Sequence, residues 1–79
     1  MTQPLLVALG HLQRGAWEEA HQLAQDDESP LGCWVHGIVH LLEGDRDNAH
    51  YWYQRAGREL PPTFDLKAEL SALRRALER

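Results

Sequence analysis

Apolar residues recur every three or four positions along the chain, and this spacing predicts α-helices. The strict alternation of apolar and polar residues that is typical of strands does not occur. The pattern divides into five blocks, so we predict an all-α fold of five helices. The apolar positions of the blocks are Leu5, Leu6, Leu9 and Leu12; Trp17, Ala20, Leu23 and Ala24; Trp34, Val35, Ile38, Val39, Leu41 and Leu42; Ala49, Trp52, Tyr53 and Ala56; and Leu66, Leu70, Leu73 and Leu77.

Residues that start or stop helices stand between these blocks. Side chains that cap helix N-termini precede four of them, at Thr2, Ser29, Asp45 and Thr63. Glycines that end helices follow three of them, at Gly15, Gly44 and Gly57, and Pro61-Pro62 comes next. We therefore expect one domain, with a first helical hairpin over about 3–27, a second over about 30–59 and a capping helix over about 63–79.

The second hairpin is a stronger copy of the first. The two copies are 29 residues apart, and the identical pairs at this offset are His11/His40, Leu12/Leu41, Gly15/Gly44, Ala20/Ala49, His21/His50 and Gln25/Gln54. A period in this range is typical of stacked helical hairpins, in which each unit buries its apolar face on the next.

These residues resemble a degenerate tetratricopeptide repeat. That family has a small residue in the first helix, a turn glycine, an alanine at the closest helix contact, an aromatic residue, a second alanine and a closing proline. Here these are Gly37, Gly44, Ala49, Tyr53, Ala56 and Pro61, and the upstream copy keeps Ala8, Gly15, Trp17 and Ala20. The last helix resembles the solvating helix that ends such arrays. The chain also looks similar to short bacterial proteins with a histidine-rich Glu-Gly-Asp…Tyr-Trp-Tyr segment.

The chain departs from the family in two respects. The offset of 29 residues is shorter than the usual repeat of about 34. The family also favours large apolar residues in the first helix, where this chain has Cys33, His36 and His40.

The resemblance implies a non-catalytic protein–protein interaction module that binds a protein or peptide partner. The expected binding surface is the concave side of the first and third helices, which presents Leu5, Leu9, Trp34, Ile38 and Leu41, flanked by His36 and His40. The leucine helix or a second copy of the chain could cover part of that surface. We expect the leucine helix to dock on the rest of the chain rather than to form a dimeric coil.

Composition narrows the function classes. The formal net charge of −4 argues against a nucleic-acid partner, which requires a basic face.

A chain of 79 residues with one cysteine forms no intrachain disulfide, so self-association is a natural source of stability and we predict a homodimer. The start of the chain lacks a basic leader, and no apolar run reaches the roughly 18 residues that span a bilayer. The expectation is a cytoplasmic protein with no membrane partner.

Cys33, His36 and His40 are the candidates for chemistry. They lie three and four residues apart, so they share one helix face, which we expect to look toward the fourth helix near Tyr53. Two histidines at this spacing can bind one metal ion. A fourth ligand could then come from His11, His50 or Asp45.

Two other interpretations compete with the metal site. The histidines could be partly buried and hydrogen-bonded to Tyr51, Tyr53, Asn48 or the backbone, and we favour this interpretation because a second dense pair of ligands is lacking. Cys33 could be a nucleophile paired with a histidine, but no oxyanion hole is evident and a free cysteine is usually a small buried residue. The sequence therefore predicts neither an enzyme nor a cofactor, with the metal site as the alternative.

Overall fold

The computed structural model describes residues 3–78, which form five α-helices and, within that range, no strand. The helices are α1 (Gln3–Gln13), α2 (Trp17–Gln25), α3 (Pro30–Leu42), α4 (Arg46–Arg55) and α5 (Leu66–Leu77). The all-α fold class expected from the apolar spacing is confirmed. The predicted cap at Thr2 lies outside the described residues.

Local signals set the starts of α3 and α4 as the sequence predicts. The Ser29 hydroxyl accepts a hydrogen bond from the backbone N–H of Gly32 (3.1 Å), and Pro30 occupies the first turn. The Asp45 carboxylate accepts from the backbone N–H of Asn48 (3.2 Å). Each cap satisfies a backbone donor that has no partner inside its own helix.

The cap of α5 is not Thr63 but Asp65, whose carboxylate accepts from the backbone N–H of Ala68 (3.3 Å). Phe64 packs against the core immediately before this cap. The chain is therefore still non-helical at Phe64, whose ring packs against the core, and α5 begins later than predicted.

Three glycines end helices in the left-handed conformation that other residues rarely adopt. Gly15, Gly44 and Gly57 have φ angles of 78°, 81° and 73°. The chain can reverse at each of them without the steric cost that a Cβ atom would add, so the helix stops predicted there are confirmed.

The packing order follows the chain for four helices and then departs from it. Each of α1, α2 and α3 packs against the helix that follows it, whereas α5 returns to pack against α1 and α3. Leu70, Leu73 and Leu77 are buried in this contact, and Leu66 is half-buried. The leucine face thus docks on the chain itself, as expected.

This position of α5 corrects the predicted binding surface. The residues expected to line an open concave face are instead in the core, with Leu5, Leu9, Trp34 and Ile38 at most 2% exposed and Leu41 at 8%. The apolar surface that a second copy of the chain could have covered is buried in the same way, and homodimer formation stays a prediction. Trp17, expected on the buried stripe of α2, is exposed instead.

A carboxylate in α5 fixes this helix to the core. Glu69 Oε1 accepts hydrogen bonds from the Tyr53 hydroxyl (2.6 Å) and from Trp34 Nε1 (3.0 Å). The guanidinium of Arg58 lies over the Trp34 ring, 3.4 Å from its centroid. Burial and the contact with Glu69 raise the pKa of the Tyr53 hydroxyl, so this hydroxyl remains a donor.

The closest helix crossing lies between α3 and α4. A Cβ atom built on Gly37 would come within 2.5 Å of Tyr53 Cδ1, so only glycine fits against that ring. Gly37 therefore lies where α4 approaches α3 closely. Of the helices within residues 3–78, none combines the length and the apolar character that crossing a membrane demands.

Candidate metal centre

Two histidines of α3 form the base of a polar cluster inside the helical packing. His36 and His40 are one helical turn apart, and their rings stack with centroids 5.0 Å apart at an interplanar angle of 20°. His36 is 7% exposed, and the side chain of His40 is 13% exposed. The expectation that these two imidazoles share one helix face is confirmed.

The third member of the cluster comes from α2. His21 Nε2 lies 3.0 Å from His36 Nε2, so the two rings share a hydrogen bond, with one of the nitrogens carrying the proton. The His21 ring also meets the His40 ring edge-to-face, with centroids 5.6 Å apart. One potential ligand nitrogen from each histidine lies within 4.8 Å of the others.

An aromatic side chain of α4, Trp52, packs against one side of the cluster. The indole of Trp52 stacks on the His36 ring, with centroids 3.9 Å apart and an interplanar angle of 11°. The guanidinium of Arg55 lies 5.2 Å from the centroid of the Trp52 ring. The cluster is therefore held at the junction of three helices, between the buried core and the surface.

Burial sets the protonation of the central histidine. The pKa of His36 falls from 6.5 to about 4, chiefly because burial disfavours the charged form and further because positive charge on His21 or His40 would oppose it. At neutral pH the His36 imidazole is therefore uncharged and has a nitrogen lone pair available.

Two carboxylates border the cluster, and they have different partners. Glu43 Oε1 lies 3.0 Å from Nδ1 of His40. Asp45 is occupied by the start of α4, because its oxygens accept from both the backbone N–H and the side-chain amide of Asn48. These hydrogen bonds hold the pKa of the Asp45 carboxyl below its ordinary value.

The structure corrects the ligand set predicted from the sequence. Cys33 is buried and its thiol donates to the Glu28 carbonyl oxygen (3.7 Å), so it is not part of the cluster. The candidates for a fourth ligand also lie outside the cluster. The Nδ1 atom of His11 bonds to Arg14, His50 is exposed, and Asp45 is engaged as a cap.

The preferred alternative, in which partly buried histidines hydrogen-bond to Tyr51, Tyr53, Asn48 or the backbone, is confirmed for the burial and corrected for the partner of His36. His36 bonds another histidine and stacks on Trp52, while the Tyr53 hydroxyl bonds Glu69 on a different side of the molecule. The expected tyrosine partner is unavailable because α5 supplies a carboxylate to it.

The sequence analysis did not select His21 as a ligand. The sequence indicated His21 only weakly, because this residue appeared only in the repeat pair His21/His50. His21 follows Ala20 and precedes Ala24 by three residues, and both alanines are fully buried. That spacing puts His21 beside the packed face of α2, but only the register of α2 against α3 brings its ring to His36.

We compared the chain with protein-family models, with curated proteins and with solved structures, and none of them matches it. The resemblance to the tetratricopeptide repeat therefore rests on the residues quoted above and stays a prediction.

Proposed function

We propose that this protein binds one divalent transition-metal ion through His21, His36 and His40. The observation that carries the proposal is the convergence of three imidazoles from two helices on one point, with their ligand atoms within 4.8 Å of one another. A protein interior gains little from placing three imidazoles together, because buried polar groups cost free energy unless they find partners. A metal ion would supply one partner to all three.

The distances support this proposal. Two nitrogens bound to one tetrahedral ion at 2.0–2.1 Å are about 3.3 Å apart. The His21–His36 separation of 3.0 Å is already close to that value. The widest separation within the cluster needs to shorten by roughly 1.5 Å, which side-chain rotation can provide.

The donor set favours a particular class of ion. Imidazole nitrogens suit Zn²⁺, Cu²⁺, Ni²⁺ and Co²⁺, whereas Mg²⁺ and Ca²⁺ take oxygen ligands. Three protein ligands leave one position of a tetrahedral site for water or another ligand. The low pKa of His36 supports binding at neutral pH, because the ring is already uncharged and does not repel the ion.

The ion would act as a clamp on α2. The N-terminus of α2 has no side-chain cap, and its fully buried residues are the alanines Ala20 and Ala24. Small side chains bury little apolar area, so α2 gains less from packing than α3. A metal bonded to His21 and to the two histidines of α3 would hold α2 in place.

Calorimetric zinc titration of the chelator-treated protein tests the proposal. We expect one zinc per chain for the wild type, and at least tenfold weaker binding for His21→Gln, His36→Gln and His40→Gln. His11→Gln and His50→Gln are matched controls, because these rings lie outside the cluster, and they should bind as the wild type does. Circular dichroism checks that each variant keeps its helix content. Absence of binding in the wild type, or loss of binding in the controls alone, would contradict the proposal.

Protein–protein interaction, the function implied by the tetratricopeptide resemblance, stays a prediction without a defined surface. The residues expected to form that surface are buried in this chain.

A further inference from the structure

We infer that Glu43 is a positioning residue of this site, which fixes the His40 ring in the tautomer whose Nε2 atom faces the metal. This inference rests on the proposed metal function. It concerns a residue outside the ligand set, and it follows from one contact, the 3.0 Å separation of Glu43 Oε1 and His40 Nδ1.

The chemistry of the two groups determines which nitrogen carries the proton. A neutral imidazole has one N–H, at either Nδ1 or Nε2, and an ionised carboxylate can only accept hydrogen bonds. The bond between His40 and Glu43 therefore requires the proton at Nδ1. Nε2 is then left with its lone pair, which is the form that binds a metal ion.

The backbone places Glu43 for this contact. Glu43 is the C-cap of α3, directly after Leu42, and its own N–H bonds to the carbonyl oxygen of Val39 (3.0 Å). The left-handed Gly44 then turns the chain, and the N–H of Asp45 bonds back to the carbonyl oxygen of His40 (2.9 Å). Residue 43 is thereby held between two hydrogen bonds of the turn, one turn of helix beyond the ring that it orients.

The other carboxylate near His40 does not compete for this role. Asp45 contributes to the charge near the ring, but both its oxygens are engaged by Asn48. Glu43 is 30% exposed at its side chain, and within residues 3–78 its carboxylate bonds only to His40. Three neutral imidazoles leave the full charge of a divalent ion in place, and the Glu43 carboxylate would offset part of it.

Ligating histidines in proteins commonly donate their second ring N–H to a carboxylate, which orients the ring and raises its basicity. Removing such a partner typically weakens metal binding by about 10–100-fold. The expectation for Glu43→Ala is a loss of this size. Glu43→Gln keeps an acceptor oxygen and removes the charge, so it should recover part of the affinity.

The experiment combines zinc affinity with nitrogen-15 NMR of the histidine rings. We expect the proton of His40 at Nδ1 in the metal-free wild type and zinc at Nε2 in the loaded protein. In metal-free Glu43→Ala the proton should lose its preference for Nδ1, and in Glu43→Gln that preference should weaken, because the amide can accept from Nδ1–H or donate to an unprotonated Nδ1. Glu59→Ala is the matched control, because Glu59 is an exposed glutamate after α4, and it should change neither the affinity nor the tautomer.

The experiment distinguishes failure of the proposed metal function from failure of the proposed role of Glu43. If the wild type binds no zinc, the proposed function fails and the role of Glu43 fails with it. If the wild type binds zinc but Glu43→Ala binds it equally well, with the His40 proton still at Nδ1, only the role of Glu43 is overturned. Zinc at Nδ1 of His40 would overturn it as well.

Discussion

The Nε2 atoms of His21 and His36 lie 3.0 Å apart, and this contact joins α2 to α3. The two rings meet edge-to-face with centroids 4.6 Å apart. An ion bound to both nitrogens would replace this hydrogen bond, with the proton of the ring that carries it at Nε2 moving to Nδ1. The hydrogen bond between α2 and α3 would then become a metal cross-link.

Zinc should therefore raise the melting temperature of the metal-free protein. An ion present at 100 times its dissociation constant stabilises the folded state by about 2.7 kcal/mol. For a domain of this size that corresponds to a rise of roughly 10–20 °C. The measurement is a thermal melt followed by circular dichroism, with and without zinc, and excess chelator should reverse the rise. Magnesium is the control, because it prefers oxygen ligands and should leave the melt unchanged.

Hydrogen exchange followed by mass spectrometry can locate this stabilisation. Zinc should protect the amides of α2 more than those of α4, because α2 carries the ligand His21 and α4 carries none of the three ligands. Equal added protection in both helices would argue that the ion does not clamp α2.

The metal-free protein should lose stability on acidification. The folded-state pKa of His36 is about 4, below the 6.5 of the unfolded chain, so the unfolded state binds more protons as the pH falls below about 6.5. The His36 contribution to the free energy of unfolding should drop by about 3 kcal/mol between pH 6.5 and 4 and change no further below that range. Urea titrations with chelator present measure it. His36→Gln should flatten the profile while His50→Gln does not, and an NMR pKa of 6.5 or more for His36 would refute the assignment.

Two glycine substitutions should have opposite effects. Gly37→Ala places a Cβ atom 2.5 Å from Tyr53 Cδ1, so the ring has to shift, and overpacking of this kind costs about 1–3 kcal/mol. Gly10→Ala meets only the far end of the Arg14 side chain at 3.5 Å, so it should stabilise by up to about 1 kcal/mol through helix propensity. Chemical denaturation compares the two variants. A stabilised Gly37→Ala would show that α3 and α4 do not cross as closely as described.

Loss of the Glu69 carboxylate should destabilise the whole domain. Glu69→Ala leaves the Trp34 N–H and the Tyr53 hydroxyl without their acceptor in the core, which should cost about 2–3 kcal/mol. Tryptophan fluorescence during denaturation follows the change. Glu78→Ala removes only an exposed, long contact with Arg74 (3.7 Å) and should stay within about 0.5 kcal/mol of the wild type. Similar losses in both variants would mean that α5 is not anchored through Glu69.

Local signals in the sequence were sufficient for most of the helix boundaries. The Ser29 and Asp45 caps and the turn at Gly44 each depend on chemistry within a few residues, and each was predicted. The start of α5 was not, because Thr63 and Asp65 are both good caps and the choice depends on where Phe64 packs. That contact joins distant parts of the chain, and helical spacing does not encode it.

The candidate site also combines features that local sequence predicts with features that depend on tertiary packing. The shared face of His36 and His40 follows from helix geometry, so the sequence predicted it. Their partner His21 depends on the register between α2 and α3, and the burial of Leu5 and Trp34 depends on the return of α5 across the first and third helices. Both are tertiary relationships. The pattern of apolar residues along the chain is compatible with several arrangements of the helices, so it predicts neither relationship.

The most direct test of the metal site is anomalous diffraction at the zinc edge from crystals of the zinc-loaded protein. The account predicts one peak per chain, about 2.0–2.1 Å from a ring nitrogen of each of His21, His36 and His40. A peak at His11 or His50 instead, or no ordered peak between α2 and α3, would contradict it.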